Sequence, residues 1–337
     1  MRKFQQFWWG LLIFLGIFGG WGFHATSQVL AADKSYTVGK VNIGAELKTD
    51  GSMQVVEQRL YNFSGDYKFA YRDFKLQPNQ AKIPGRTESY ELKNFEVCEE
   101  KNCYRQLRPD QVNWQSPREN PVGTFTVRQL NDQTLRVQWH FSAVSVSKVF
   151  TLKYVVVNAA TLHGDTTELY WQWIGSDWTV FQENVRVTLG LPMGIPDDQL
   201  QAWAHGPLAG VVAIPNPTTV NFYLPRLPSG QFFEGRVVFP KGIIWASAKG
   251  TSSLSQIQAQ EAKFIAETQA KRLKYEQYFK WLARFLTGLA GVMVLGWIWM
   301  MWRFWGGYKD KNFFLLFFWG VVRGAGVEFS YPPREPP

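Results

Sequence analysis

Apolar and polar residues alternate over much of this chain. Val41, Ile43, Ala45 and Leu47 alternate with Asn42, Gly44, Glu46 and Lys48, a period of two that gives a half-buried strand one apolar face. Asp50-Gly51 follows. That pair predicts a hairpin turn, because glycine tolerates positive φ, and 53–63 is the expected return strand. Further strands are predicted at 123–130 and 134–141, split by Asn131-Asp132-Gln133, and at 149–157, which is apolar on both faces. Segments 168–174, 185–191, 218–224 and 235–239 complete the set, with Pro and Gly at the joins. Many short strands with turn signals predict a mainly β fold, an antiparallel β-sandwich over 33–247. The stretch 114–121 offers a boundary between two sub-domains.

Two apolar segments bracket this region. The first follows a basic Arg2-Lys3 head and runs through Phe7 to Phe23, ahead of the small-residue site Val29-Leu30-Ala31-Ala32. Basic head, apolar stretch and small-residue site predict a signal peptide over 1–31, cleaved after Ala31 or Ala32. The alternative is an uncleaved anchor. The second segment, 285–302, has 18 residues and no charge, within the ~17–25 residues that span a bilayer. Arg284 and Arg303 flank it, and Trp281, Trp302 and Trp305 suit an interfacial belt. Between sandwich and span, 253–284 is rich in Gln, Ala, Glu and Lys, which predicts a solvated helical stalk. Residues 303–337 are the expected cytoplasmic tail, and its apolar piece 313–322 is too short to cross. Basic residues before the span are at least as many as those after it, which argues for the reverse topology. The export signal prevails, because long domains translocate largely regardless of charge.

The formal net charge is +9, from 36 Lys+Arg against 27 Asp+Glu. The cations are scattered, which excludes a nucleic-acid reading. The densest group, Lys271, Arg272, Lys274, Lys280 and Arg284, sits beside the span and would attract anionic headgroups of the lipid bilayer. There are two cysteines, Cys98 and Cys103, flanking the polar turn Glu99-Glu100-Lys101-Asn102. In an exported protein such a pair is expected to form a disulfide. No metal site is expected, since zinc needs about four ligands and no His lies near.

Several segments carry a family resemblance. They are Asp50-Gly51-Ser52-Met53-Gln54-Val55-Val56-Glu57, Tyr61-Asn62-Phe63-Ser64-Gly65 and Tyr71-Arg72-Asp73-Phe74. Next come Glu168-Leu169-Tyr170-Trp171-Gln172-Trp173-Ile174-Gly175 with Trp178, then Leu189-Gly190-Leu191-Pro192, His205-Gly206-Pro207 and Arg236-Val237-Val238-Phe239-Pro240. Val327-Glu328-Phe329-Ser330-Tyr331-Pro332-Pro333 follows the span. In this order the chain resembles the predicted membrane proteins catalogued as domain of unknown function 2207. The resemblance implies location and fold rather than a reaction. It also implies further membrane segments after the Pro-Pro element, hence a truncated tail here.

Glu57 and Arg72 stand among apolar strand residues and are read as a structural ion pair rather than an acid–base site. His140, His163 and His205 show no metal-ligand spacing, and His140 is expected to face outward beside buried Trp139. There is no Gly-x-Ser-x-Gly elbow. No catalytic residue and no cofactor is expected, so the chain is read as a non-enzyme. Trp171 and Trp173 are assigned to the core, while Trp178 and Trp203, read as loop tryptophans, are the candidate binding platform. The expected function is a single-pass, membrane-anchored extracytoplasmic scaffold that holds an envelope or membrane protein partner, with oligomeric state open. The alternative is a glycan-binding module using Trp178 and Trp203, and an exported hydrolase comes third.

Overall fold

The structure, a computed structural model, describes residues 34–305 apart from 79–80 and 246–247; the signal segment and the tail beyond Trp305 lie outside the described residues. The first strands are β1 (Ser35–Leu47), β2 (Met53–Ser64), β3 (Asp66–Lys75), β4 (Glu91–Glu99), β5 (Asn102–Cys103) and β6 (Arg105–Gln106). Then come β7 (Thr124–Asn131), β8 (Thr134–Val144), β9 (Ser147–Val157), β10 (Ala160–Leu162), β11 (Thr166–Ile174) and β12 (Gln182–Gly190). The last are β13 (Gln201–His205), β14 (Val211–Asn216), β15 (Thr219–Leu227), β16 (Phe233–Pro240) and β17 (Ala248–Lys249), followed by helix α1 (Leu254–Trp305).

Three sheets result: β14-β15-β12-β1-β2-β9-β4-β5, β13-β16-β11-β10-β17 and β3-β8-β7-β6. Ring contacts tie them into layers. Trp173 of β11 lies 6.0 Å from Phe222 of β15, Phe63 of β2 lies 5.3 Å from Phe141 of β8, and Phe74 of β3 lies 4.9 Å from Tyr154 of β9. The two smaller sheets thus cover one face of the large sheet, and their buried side chains form a single core. This is the expected sandwich, with one departure. β1 pairs antiparallel with β2 but parallel with β12, Val41 opposite Val185, so the first strand sits in the middle of the large sheet. The predicted turn is present: Gly51 has φ +76°, and Asp50 Oδ1 accepts the Ser52 N–H at 2.9 Å.

The stretch 114–121 does not divide the domain. The described residues up to Ala259 form one compact unit, and this stretch is a loop joining β6 to β7. The expected stalk and span are one helix. Ser253 and Gln256 start it with a reciprocal cap: Ser253 Oγ accepts the Gln256 N–H at 3.2 Å, and Gln256 Oε1 accepts the Ser253 N–H at 2.9 Å. The 52 residues extend about 78 Å at ~1.5 Å per residue. Among the described residues this is the helix long and apolar enough to cross a membrane.

Close packing leaves Gly235 of β16 no room for a side chain. A Cβ there would lie 2.5 Å from Trp173 Nε1 and 2.8 Å from Phe222 Cζ, both rigid rings. Gly235→Ala is therefore expected to cost about 1–3 kcal/mol by overpacking, read as a lower urea midpoint with unchanged slope.

Candidate functional site

The inward row of β2 is Met53, Val55, Glu57, Arg59, Tyr61 and Phe63. Two charges therefore enter the core on a strand that is otherwise apolar on that face. Glu57 is 1% exposed, accepts from Arg59 Nη1 and from the Tyr154 hydroxyl at 2.5 Å, and forms an ion pair with Arg72 Nη2 at 3.0 Å. Arg72 Nη2 also donates to the Trp173 carbonyl at 3.0 Å. Burial pushes the Glu57 carboxyl up, but Arg59, Arg72 and the Tyr154 hydroxyl outweigh it and hold it below the ordinary carboxylate range. Burial and then the adjacent carboxylate push the Tyr154 hydroxyl well up. The Glu57–Arg72 contact is half of the cluster; Arg59 is the other half. Its signal was in the sequence, because residues two apart on a strand share a face.

One carboxylate thus serves two guanidiniums. Among the described residues, Arg59 Nε, Arg59 Nη2 and Arg72 Nε are buried without a hydrogen-bond partner. Aromatic faces soften this: Arg59 lies 5.3 Å from the Trp178 ring centroid and Arg72 lies 4.6 Å from that of Phe74.

Above this cluster opens a cleft of about 470 Å³. Its walls include Tyr36, Tyr61, Tyr67, Tyr71 and Trp178, and Arg72 is part of its lining. Tyr36 centres 6.1 Å from Tyr61 and 6.0 Å from Tyr67, and Tyr61 lies 6.4 Å from Trp178. The aromatic rings come from β1, β2, β3 and the loop after β11, segments that the sheet pairing and layering bring together. Burial pushes the Tyr36 hydroxyl up, against a lowering hydrogen bond from Thr179.

Of the two platform candidates, Trp178 lines this cleft and Trp203 does not. Trp203 is not in a loop: it lies on β13, opposite Arg236 of β16. Trp171 and Trp173 are buried in the core.

A second buried ionic group joins β11 and β16. Glu168 Oε1 takes Arg236 Nε at 2.5 Å, and Glu168 Oε2 takes His163 Nε2–H at 2.7 Å. Since His163 Nδ1 accepts the Ser252 N–H at 3.2 Å, the proton sits on Nε2. Beside it Glu234 pairs with Lys82 and accepts from the Tyr170 hydroxyl and the Gln172 amide, each at 3.0 Å.

Cys98 and Cys103 form a disulfide across the β4–β5 turn. Glu96 lies within 4.8 Å of both sulfurs, the one grouping of metal-ligand atoms among the described residues. Disulfide sulfurs are not thiolates, so the trio does not offer a ligand set.

His140 is a correction. It was expected to face outward, yet it is fully buried, because the 113–121 loop covers the second face of β8. Its Nε2 accepts from the Asn120 amide at 3.3 Å and the Gln138 amide at 3.0 Å, while Nδ1–H donates to Thr124 Oγ at 3.1 Å. Thr124 Oγ in turn donates to the Pro121 carbonyl at 2.5 Å. Protonating Nε2 would set N–H against two N–H donors, and burial holds the imidazole below its usual range. A base whose folded value is depressed takes its proton first in the unfolded chain. Stability is therefore full above about pH 6.5 and falls as pH drops through the lower folded value. Thermal unfolding at pH 7.5, 6.0 and 5.0 is expected to show this decline, and His140→Gln is expected to flatten it.

The predicted membrane protein family DUF2207, N-terminal domain, matches residues 37–239. The chain belongs to this family. The DUF2207 domain is thus the sandwich itself, and the protein is a membrane protein with one candidate transmembrane helix among the described residues. No curated protein matches the chain. Solved structures show only distant likeness. A Parabacteroides distasonis protein described as a candidate protease has 11% identity, covering 61% of this chain and 40% of its own, at a TM-score of 0.33. Yeast LTA4 hydrolase in complex with bestatin has 7% identity over 60% of this chain and 28% of its own, at 0.34. A Legionella pneumophila protein described as a candidate nutrient binding protein has 8% identity over 59% and 66%, at 0.32. The DUF2207 chain thus spans well under half of the first two structures, and likeness at this level carries no argument about activity.

Proposed function

We propose that this protein is a membrane-anchored recognition module: the DUF2207 sandwich stands on the extracytoplasmic side, and its aromatic cleft holds a segment of glycan. The observation that carries this reading is the cleft walled by Tyr36, Tyr61, Tyr67, Tyr71 and Trp178. Its volume, about 470 Å³, lies in the ~300–1,000 Å³ range of small-ligand sites. A protein–protein contact instead needs about 800 Å² on each partner. Aromatic faces match the apolar faces of sugar rings, and tyrosine hydroxyls match sugar hydroxyls. The cleft thus favours the glycan reading over the protein scaffold, with Trp178 as the platform and Trp203 outside it.

The extracytoplasmic placement rests on the basic head and apolar segment at the N-terminus and on the disulfide, which persists in oxidising compartments. Alkylation of intact cells is expected to leave Cys98 and Cys103 unlabelled until a reductant is added. Labelling without a reductant would place them in a reducing compartment. The glycan reading is tested by titrating the detergent-solubilised full chain with maltotriose, chitotriose and trigalacturonate while following tryptophan fluorescence. Saturable quenching by at least one sugar, lost in Trp178→Ala, is expected. No response to any of them would overturn it.

A further inference from the structure

The ionic groups around the cleft are out of balance in one direction. Behind the Arg72 of its lining, Glu57 is shared by Arg59 and Arg72. At its rim Asp66 is shared by Lys68, at 3.0 Å, and Arg118, at 3.2 Å. The carboxylates of the lining itself are paired singly: Asp73 with Arg136 at 2.7 Å, and Asp177 with Lys75 at 3.5 Å. Lys34 lies over the Tyr67 ring. Around the lining, seven cationic side chains meet four carboxylates among the described residues. The excess is greatest where water is least able to screen it, at the buried guanidiniums.

A solvated rim cation needs no partner. A buried guanidinium does. Arg72 is 95% buried as a side chain, lines the cleft and keeps an unpartnered Nε; Arg59 behind it keeps two unpartnered nitrogens. A surplus guanidinium beside an open cleft fits a missing counter-charge that arrives with a ligand.

We infer that the glycan held in this cleft is acidic, its carboxylate or phosphate seated over Arg72 and flanked by Lys68 and Arg118, its ring stacked on Trp178 and the cleft tyrosines. This deepens the glycan reading and rests on it. Charge-assisted contacts of this kind fix orientation and discriminate strongly against a neutral analogue, which would leave the guanidinium unpaired.

The test compares ligands that share rings and differ in charge. Detergent-solubilised full chain is titrated at 50 mM salt with trigalacturonate, its methyl ester, pentamannose phosphate and maltotriose. At least one acidic probe is expected to bind tenfold or more tightly than the ester and maltotriose. Raising salt to 500 mM is expected to erase most of that difference. Preference for trigalacturonate or for pentamannose phosphate assigns the anion as carboxylate or phosphate, and either supports the inference. Lys68→Gln with Arg118→Gln, both at the rim, is expected to weaken the acidic probe about tenfold more than it weakens the ester. Arg72→Met is expected to abolish the discrimination. If it fails to fold, the rim variant still decides. Equal binding of acid and ester would overturn the acidic inference and leave the glycan reading standing. No binding of any sugar would overturn both, as would quenching only by phosphatidylglycerol vesicles or only by inorganic phosphate.

Discussion

Glu57→Gln is expected to destabilise the domain by about 3–5 kcal/mol, the cost of leaving buried charge uncompensated. The glutamine keeps the volume and can still accept hydrogen bonds, so the loss isolates charge. What remains is Arg59 and Arg72, each about 5% exposed, with no carboxylate against either among the described residues. A domain of this size is stable by about 5–15 kcal/mol, so the variant would sit near its limit. Urea unfolding of the solubilised chain, followed by tryptophan fluorescence, measures it. The same carboxylate sets an acid limit. Its folded pKa is depressed, so its contribution is full above the unfolded value of about 4.3 and is lost as pH falls through the lower folded value. A loss of less than about 1 kcal/mol would mean that the guanidiniums are solvated.

Two further arginine replacements should separate sharply. Arg236→Met removes the guanidinium paired with Glu168 and leaves that carboxylate, wholly buried, with the His163 imidazole. About 3–5 kcal/mol should be lost. Arg59→Met removes the surplus cation, and Glu57 keeps Arg72 and the Tyr154 hydroxyl. Its stability should change by less than about 1 kcal/mol, or rise, because a poorly satisfied buried ion has been replaced by an apolar chain of similar length. Equal losses from the two would show that the β2 cluster is a balanced structural network, and would remove the charge excess on which acidic recognition depends.

Strands were legible where the pattern was strong: 41–47, 53–63 and 134–141 fall within strands, as does 149–157, read as apolar on both faces, while 185–191 runs one residue past β12. β3 was not. Its sequence mixes aromatic and charged residues, and most of its positions are half-buried, so neither face declares itself. His140 was misplaced because alternation assumes one solvated face, and β8 is covered on both over that stretch. The aromatic cleft could not be read from spacing, since its residues come from separate segments. Trp178 alone drew attention, for its residue type. Of the buried cluster, Glu57 and Arg72 stood out as charges among apolar neighbours. Arg59 was passed over although it lies two residues from Glu57 on the same strand.

The central place of β1 also sets a clock on biogenesis. Val41 must wait for Val185, 144 residues later, and synthesis at ~5–20 residues per second makes that roughly 7–30 s. Throughout that interval the β1–β2 hairpin offers an unpaired apolar edge to any neighbouring chain.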